Sequence, residues 1–217
     1  MPAKNTIKIY LSNSYYHIYN RGVDKRTIFQ DKQDYAVFLN YLKEYLSPIP
    51  LKNPKRKISI NEKTYQIKDY QCSNYHQNIT LLAFCLMPNH FHLLVKQELA
   101  RDIEYFMKSL ATRYTTYFNK RHQRSGTLFE GAYKAVLVKT EEQFIHLSRY
   151  IHLNPHPKPL TSQPSSYPDY MKLKNTSWVR TQTIIDHFKT PLAYKKFIED
   201  GKKDQPLPII KSLILDL

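Results

Sequence analysis

Apolar residues recur along this chain at two different spacings, and the changes of spacing mark out its elements. The run YYHIYNRG (15–22) reads as a strand that ends at Gly22. In DKQDYAVFLNYLKEYL (31–46), Tyr35, Phe38, Leu39, Leu42 and Leu46 fall three or four apart and predict a helix. Residues 47–78 carry Pro48, Pro50 and Pro54 beside the alternating KISINEKTYQIKDY, the pattern of a loop with a small inserted hairpin. NITLLAFCLM and HFHLLVKQ predict two strands joined at a Pro88-Asn89 turn. From Ala100 to His122 a long helix carries Ile103, Phe106, Met107, Leu110, Tyr114, Tyr117 and Phe118 on one stripe.

After the loop RSGTLFEG, YKAVLVK (133–139) predicts a strand. Thr140 caps the next helix, EEQFIHLSRYIHLN, with Gln143 as its capping-box partner. That helix stops at Pro155, because the residue before a proline is pushed out of the α region. A proline-rich connector follows, then a short helix near 191–199 and the apolar tail LPIIKSLILDL. The order β-α-(hairpin)-β-β-α-β-α predicts an α+β fold, an antiparallel sheet flanked by helices.

Composition narrows the class. The chain has 217 residues, 41% of them hydrophobic and 13% aromatic, enough for a packed core. A formal charge of +15 points to a polyanionic partner, most simply nucleic acid. No run of 18 apolar residues occurs, and MPAKNTIKIYLSNSYY lacks the apolar centre of a signal peptide, so no membrane partner and a cytoplasmic location are expected. The two cysteines, Cys72 and Cys85, exclude a zinc ribbon or a disulfide scaffold, and Cys85 in LLAFCLM reads as a buried thiol.

The chemistry concentrates in MPNHFHLL (87–94). On a strand His90 and His92 point to one face, roughly 6.5–7 Å apart along the backbone, while Phe91 points to the other. Such a pair is half of a metal site if further ligands arrive from elsewhere. On the helix beyond Thr140, Tyr150 and Asn154 lie four apart and share a face, while Phe144, Leu147 and Ile151 form the face that docks on a sheet. A tyrosine, an amide oxygen and two imidazoles converging would suit metal-assisted phosphodiester cleavage with a phenolate nucleophile. Ordinary packing roles for Tyr150 and a helix-end role for Asn154 are the alternatives. His17, two residues before Tyr19, and His146, one turn before Tyr150, stand between a supporting role, a phosphate contact and plain packing.

Four separated blocks carry a family resemblance: YHIYNRG (16–22), LLAFCLMPNHFHLLV (81–95), the FMKSLATRYTTYFNKRHQRSGTLFEGAYKAVLV run (106–138) and RYIHLNP (149–155). In this order they resemble the single-tyrosine HUH transposases of bacterial insertion sequences, especially the REP-associated tyrosine transposases. The likeness spans roughly residues 15–158. It implies an HUH endonuclease fold, a ferredoxin- or RRM-like sandwich, with Tyr150 as nucleophile. It also implies His90, His92 and Asn154 as ligands of Mg²⁺ or Mn²⁺, an oxygen-rich substrate completing the shell. Softness rules on their own also admit zinc or nickel. Some members of the wider group carry the longer Gln at the position matching Asn154.

The implied activity is cleavage and rejoining of single-stranded or hairpin DNA through a phosphotyrosine. Residues 1–158 would form the catalytic domain and 159–217 a C-terminal extension. Asn20 and Arg21 at the end of the first strand, together with Lys108, Arg113, Lys120, Arg121, Arg124 and Lys134, are the candidate DNA contacts, although charge runs are often only a solvated face. A domesticated module that grips hairpin DNA or RNA without cutting it, and a nuclease that uses water as nucleophile, are the competing readings. Monomer and helix-exchanged homodimer both remain open, since the tail can fold back on the sheet or pair with a second chain.

Overall fold

In the computed structural model, Ser14–Arg21 (β1) lies inside a four-stranded antiparallel sheet rather than at its edge. The structure describes residues 8–49, 56–60, 63–67, 73–155, 158–159, 161–201 and 208–214. After β1 come Lys32–Leu46 (α1), a separate hairpin of Arg56–Ile60 (β2) and Lys63–Ile67 (β3), then Ile79–Met87 (β4) and His90–Gln97 (β5). Asp102–Arg121 (α2), Lys134–Leu137 (β6) and Glu141–Leu153 (α3) complete the sequence-predicted order. The sheet runs β4-β5-β1-β6. Two βαβ halves interleaved in this way make the ferredoxin-like sandwich, and the expected fold class holds. Residues 50–55, 61–62 and 68–72 of the predicted insert, and Cys72 with them, lie outside the described residues.

Alternation divides the sheet between two cores. Tyr16, Ile18, Phe91, Leu93 and Val95 face α1 and α2, meeting Phe38, Leu42, Phe106, Leu110 and Tyr114. Leu94, Ala83 and Cys85 face the opposite way, toward Phe144, Leu147 and Ile151 of α3. A bulge in β4 between Leu81 and Ala83 resets the alternation, so Leu81 and Phe84 face the first core while Leu82 and Ala83 face the second. Cys85 is fully buried, as expected, and burial pushes its thiol pKa up.

The helix ends follow their sequence signals. Asp31 accepts hydrogen bonds from the Gln33 and Asp34 amides at the start of α1. Thr140 Oγ1 accepts from Gln143 N at 3.1 Å, and the Gln143 side chain reaches back to Lys139 N at 2.9 Å. The C-terminus of α3 departs from expectation. Asn154, although it precedes Pro155, keeps right-handed helical angles (φ −50°, ψ −36°). Its backbone N–H donates to Ile151 O, and its side-chain amide donates to Tyr150 O at 3.3 Å, which holds the residue in the helical screw.

The C-terminal segment covers the second face. Tyr167–Tyr170 (α4), Gln182–Ile185 (α5) and Pro191–Asp200 (α6) supply Tyr167, Tyr170, Ile184, Tyr194 and Ile198 to the core shared with α3. The free edge of β4 is occupied as well: Leu86 N donates to Pro164 O, Ser166 N to Phe84 O and Arg180 N to Leu81 O. The tail segment 208–214 folds back beside α3, where Gln143 Nε2 donates to Ile209 O. Among the described residues no helix is long and apolar enough to cross a membrane.

A buried polar chain ties α3 to this cover. His152 sits with one ring nitrogen 2.7 Å from Tyr194 Oη and the other 2.7 Å from Ser166 Oγ. Tyr194 Oη in turn donates to Ser148 Oγ, one turn earlier on α3. Burial holds the His152 pKa down to about 3. Above about pH 6.5 the ring is neutral in both folded and unfolded chains. Below that value the unfolded chain takes up a proton that the folded one refuses, so stability falls with pH until about 3. We expect His152→Leu to cost about 1–3 kcal/mol near pH 7, by leaving two buried hydroxyls short of a partner. In urea unfolding between about pH 6 and about pH 4 the variant should also lose acid sensitivity of about 1.4 kcal/mol per pH unit relative to wild type.

Candidate metal and nucleophile site

The site forms where β5 leaves the Pro88-Asn89 turn and α3 ends. His90 and His92 point to the α3 side of the sheet, their ring centres 4.9 Å apart and nearly perpendicular. Antiparallel register sets Arg21 opposite His90 and Tyr19 opposite His92. His17 and Tyr19 therefore share this face, and the His17 and His92 rings lie nearly parallel with their centres 5.0 Å apart. The Tyr150 ring stands edge-on to His92 at 5.4 Å and to His17 at 6.2 Å. Asn154, kept in the helix, presents its amide oxygen 3.2 Å from His90 Nε2. One chain supplies all four of the side chains predicted to act together.

Hydrogen bonds fix how the rings face the site. His90 Nδ1 lies 2.7 Å from the side-chain oxygen of Asn89 in the turn, an acceptor, so this nitrogen carries the proton. The Nε2 lone pair of His90 then faces the Asn154 oxygen, two acceptors turned toward one another. His92 Nδ1 lies 2.9 Å from His17 Nε2, and His17 Nδ1 lies 2.6 Å from the Leu213 carbonyl. His92 Nε2 is buried and has no hydrogen-bond partner.

Electrostatics favours neutral rings. Burial is the main cause that lowers the pKa of each of the three histidines, to about 4 for His17 and well below the usual value for His92. His90 and His17 lower His92 further, and the Arg21 charge lowers His90, while the Asn154 amide pulls both ligand candidates the other way. Near neutral pH the site therefore offers unprotonated nitrogens.

These features fit a divalent cation. An orphaned imidazole nitrogen, a second imidazole nitrogen and an amide oxygen face one place, and the C-terminal end of α3 brings the negative end of its dipole there. Among the described residues no group of three His, Cys, Asp or Glu could hold a metal ion. Any site here therefore depends on Asn154 and on oxygens of a substrate beyond the two histidines.

The predicted DNA contacts separate into two sets. Arg21 and Lys134 lie on the face of the site, since Lys134 pairs with Tyr19 across β1 and β6. Arg21 Nε holds Glu130 at 2.9 Å, and Arg21 and Lys134 both depress the Glu130 pKa. Asn20 points the other way and is buried, its amide bound to Gly131 O, so it shapes the loop before β6.

Lys108, Arg113, Lys120, Arg121 and Arg124 belong to α2 and its exit, across the sheet from the site. Arg121 grips Asp31 and the buried Asp34, and Arg113 holds Glu44 at 2.6 Å while lying over the Tyr41 ring. Arg124 bonds Asn119 and Thr127 O. Lys108 and Lys120 are exposed. His146 packs on Phe197 and takes no part in the site.

Sequence reasoning missed Asn89, whose signal is its place just before His90 in the turn, and Leu213, which acts through backbone alone and leaves no signal.

The family described as IS200-like transposases matches residues 10–154. No curated protein matches the chain in sequence. Among solved structures, a REP-associated tyrosine transposase bound to a REP hairpin is similar in fold: TM-score 0.55 at 10% identity, over 82% of this chain and 97% of that one. A putative transposase from Deinococcus radiodurans R1 aligns at 16% identity over 70% of this chain and 95% of that one, with a TM-score of 0.38, too low to argue from.

Arg21 and Asn154 should move His90 in opposite directions. In the metal-free protein, Arg21→Gln removes a repelling charge and should raise the His90 pKa, whereas Asn154→Ala removes an accepting oxygen and should lower it. An NMR titration of the His90 ring reads both signs.

Proposed function

Because the chain belongs to the IS200-like transposase family, we propose that it cuts and rejoins single-stranded DNA, using Tyr150 as the nucleophile. The observation that carries this reading is the convergence of Tyr150 with His90, His92 and Asn154 on one side of the sheet. His90, His92 and Asn154 would hold Mg²⁺ or Mn²⁺. A cation there supplies Lewis-acid polarisation of the scissile phosphate and neutralises charge that develops in the transition state. Tyr150 loses its phenolic proton and attacks phosphorus. One Oη–P bond forms, one P–O bond to the neighbouring nucleotide breaks, and the leaving oxygen takes a proton. The phosphotyrosine conserves the energy of the broken bond, so reversal of the step onto another end rejoins DNA without a nucleotide cofactor.

Attachment of the nucleophile to a docked helix supports this reading over cleavage by water. The buried Leu147 and Ile151 fix the rotation of α3, and that rotation turns Tyr150 toward the imidazoles rather than to solvent. Arg21 and Lys134 flank the site and suit phosphates on either side of the scissile one. The fold likeness to a transposase bound to a REP hairpin supports a hairpin end as the DNA form taken here. At such an end the backbone is free to bend into line with an attacking oxygen. The reading as a binding module that does not cut is weakened by the presence of every group the chemistry needs.

Incubation with a 5′- and 3′-labelled hairpin oligonucleotide and Mn²⁺ should give a protein–DNA adduct that survives a denaturing gel. Tyr150→Phe should give none, and His90→Ala should slow its formation by about 10³-fold, several kcal/mol of barrier. Cleavage with turnover by Tyr150→Phe would instead establish water as the nucleophile.

Arg21→Ala and Lys134→Ala should each weaken DNA binding about evenly across sequences and lower the slope of log K against log salt by about 0.7–0.9. Fluorescence anisotropy over a salt series measures this. Lys120→Ala, across the sheet, should leave the slope unchanged.

A further inference from the structure

We propose that His17 is a positioning residue for His92, and that the backbone carbonyl of Leu213 in the C-terminal segment sets the tautomer of both rings. The inference rests on the metal-binding reading of His92 given above, but its geometry stands in the protein without metal. A carbonyl oxygen only accepts, so the 2.6 Å contact to Leu213 O requires a proton on His17 Nδ1. With that proton placed, His17 Nε2 is left as an acceptor, 2.9 Å from His92 Nδ1. His92 must then donate from Nδ1, and its Nε2 keeps a bare lone pair. That nitrogen is the buried atom with no partner.

The reverse assignment fails on its own terms. Were both nitrogens of His17 protonated, His92 Nδ1 would accept and its proton would move to Nε2. His92 Nε2 makes no hydrogen bond in this structure, and a proton there would occupy the direction in which a ligand must offer electrons. A lone neutral histidine prefers its proton on Nε2, so an unassisted His92 would mostly adopt this unproductive form. The hydrogen bond to His17 and, behind it, one carbonyl hold it in the other.

Leu213 lies 196 residues from His17 and outside the region that matches the family, residues 10–154. Its placement is not accidental to local packing: Ile210, Leu213 and Ile214 are buried in the core shared with α3. The C-terminal segment thus acts on the site through a main-chain oxygen, which any side chain at position 213 would supply if the segment stays docked.

The test uses the full chain labelled with ¹⁵N-histidine, free of metal, in long-range ¹H–¹⁵N spectra. Wild type should show His17 and His92 both protonated on Nδ1. His17→Phe should move the His92 proton toward Nε2 and weaken Mn²⁺ binding, read by electron paramagnetic resonance, about ten- to a hundredfold. His17→Gln, whose amide oxygen takes the place of Nε2, should restore the Nδ1 proton and most of the affinity. An Nε2–H on His92 in wild type overturns the proposal, and that spectrum decides it even if His17→Phe does not fold. Unchanged tautomer and affinity in a folded His17→Phe, or equal losses in a folded His17→Gln, overturn it too. Failure of wild type to bind Mn²⁺ while His92 carries its proton on Nδ1 would instead remove the metal reading and leave the relay in place.

Discussion

Every group at the site depends on the register between β1 and β5. Side chains alternate along a strand, so a slip of one residue would carry His17 and Tyr19 to the α1–α2 face and bring Tyr16 and Ile18 to the site. The first core resists such a slip, because Tyr16 and Ile18 are fully buried beside Phe91, Leu93 and Val95. Both ends of the ladder are pinned as well. Asn13 N donates to Glu98 O at one end, and Gly22 N donates to Asn89 O at the other. Gly22 is required there by close approach. A Cβ at that position would run into the backbone oxygen of Arg26 and the side chain of Ile28, so the chain could not turn so tightly after β1. Hydrophobic packing on one face of the sheet thereby aligns polar chemistry on the other.

The second requirement is the rotation of α3. Its apolar face alone allows the helix to slide or roll by some degrees on a greasy surface, since hydrophobic contact is non-directional. Hydrogen bonds remove that freedom. His152, joined to Ser166 on one side and Tyr194 on the other, couples the helix to two separate parts of the C-terminal segment. Ser166 is bound in turn to the backbone of Phe84 on β4. The chain of contacts from β4 through Ser166 to His152 runs only two residues from Tyr150. Fully satisfied buried networks of this kind specify one arrangement more sharply than apolar packing does. The segment after residue 160 is thus part of what orients Tyr150.

Much of this was legible in the sequence, and the rest was hidden for identifiable reasons. The His-x-His spacing shows a shared face once a strand is assumed, and the stripe Phe144, Leu147, Ile151 shows which side of α3 docks. Asn154 shares a face with Tyr150, as the four-residue spacing predicts, although the local proline signal argues against it. Proline at 155 argues for an extended residue before it, but two hydrogen bonds to Ile151 O and Tyr150 O keep Asn154 helical, and with it the shared face. The bulge at Leu81–Ala83 leaves no mark in a run where every residue is apolar. Leu213 O is invisible for a deeper reason, since main-chain atoms are the same in every residue and only tertiary structure says which one reaches a ring. Charge is read from sequence without its partners: Asp31 and Asp34 hold Arg121 and Glu44 holds Arg113, while Lys108 and Lys120 are exposed.

The distribution of that charge differs between the two faces of the sheet. A surplus of fifteen positive charges attracts any polyanion over the whole surface, yet it does not say where a strand will rest. Around α1 and α2, Asp31 and Asp34 take up Arg121 and Glu44 takes up Arg113, while Lys108 and Lys120 are exposed. On the site face Arg21 pairs with Glu130, and Lys134 lies near enough to lower the Glu130 pKa with it. The imidazoles themselves stay neutral because burial makes their protonation costly, so they do not add to that charge or repel a cation. Lone pairs on His90 and His92, the Asn154 oxygen and the end of the α3 dipole all favour a positive ion a short distance from the arginine and lysine that favour a phosphate. Had the histidines been exposed and protonated, the two preferences would merge into a single anion site. Their burial leaves neutral nitrogen donors beside a cationic arginine and lysine, so on the proposed reading a cation and a phosphate would take adjacent places.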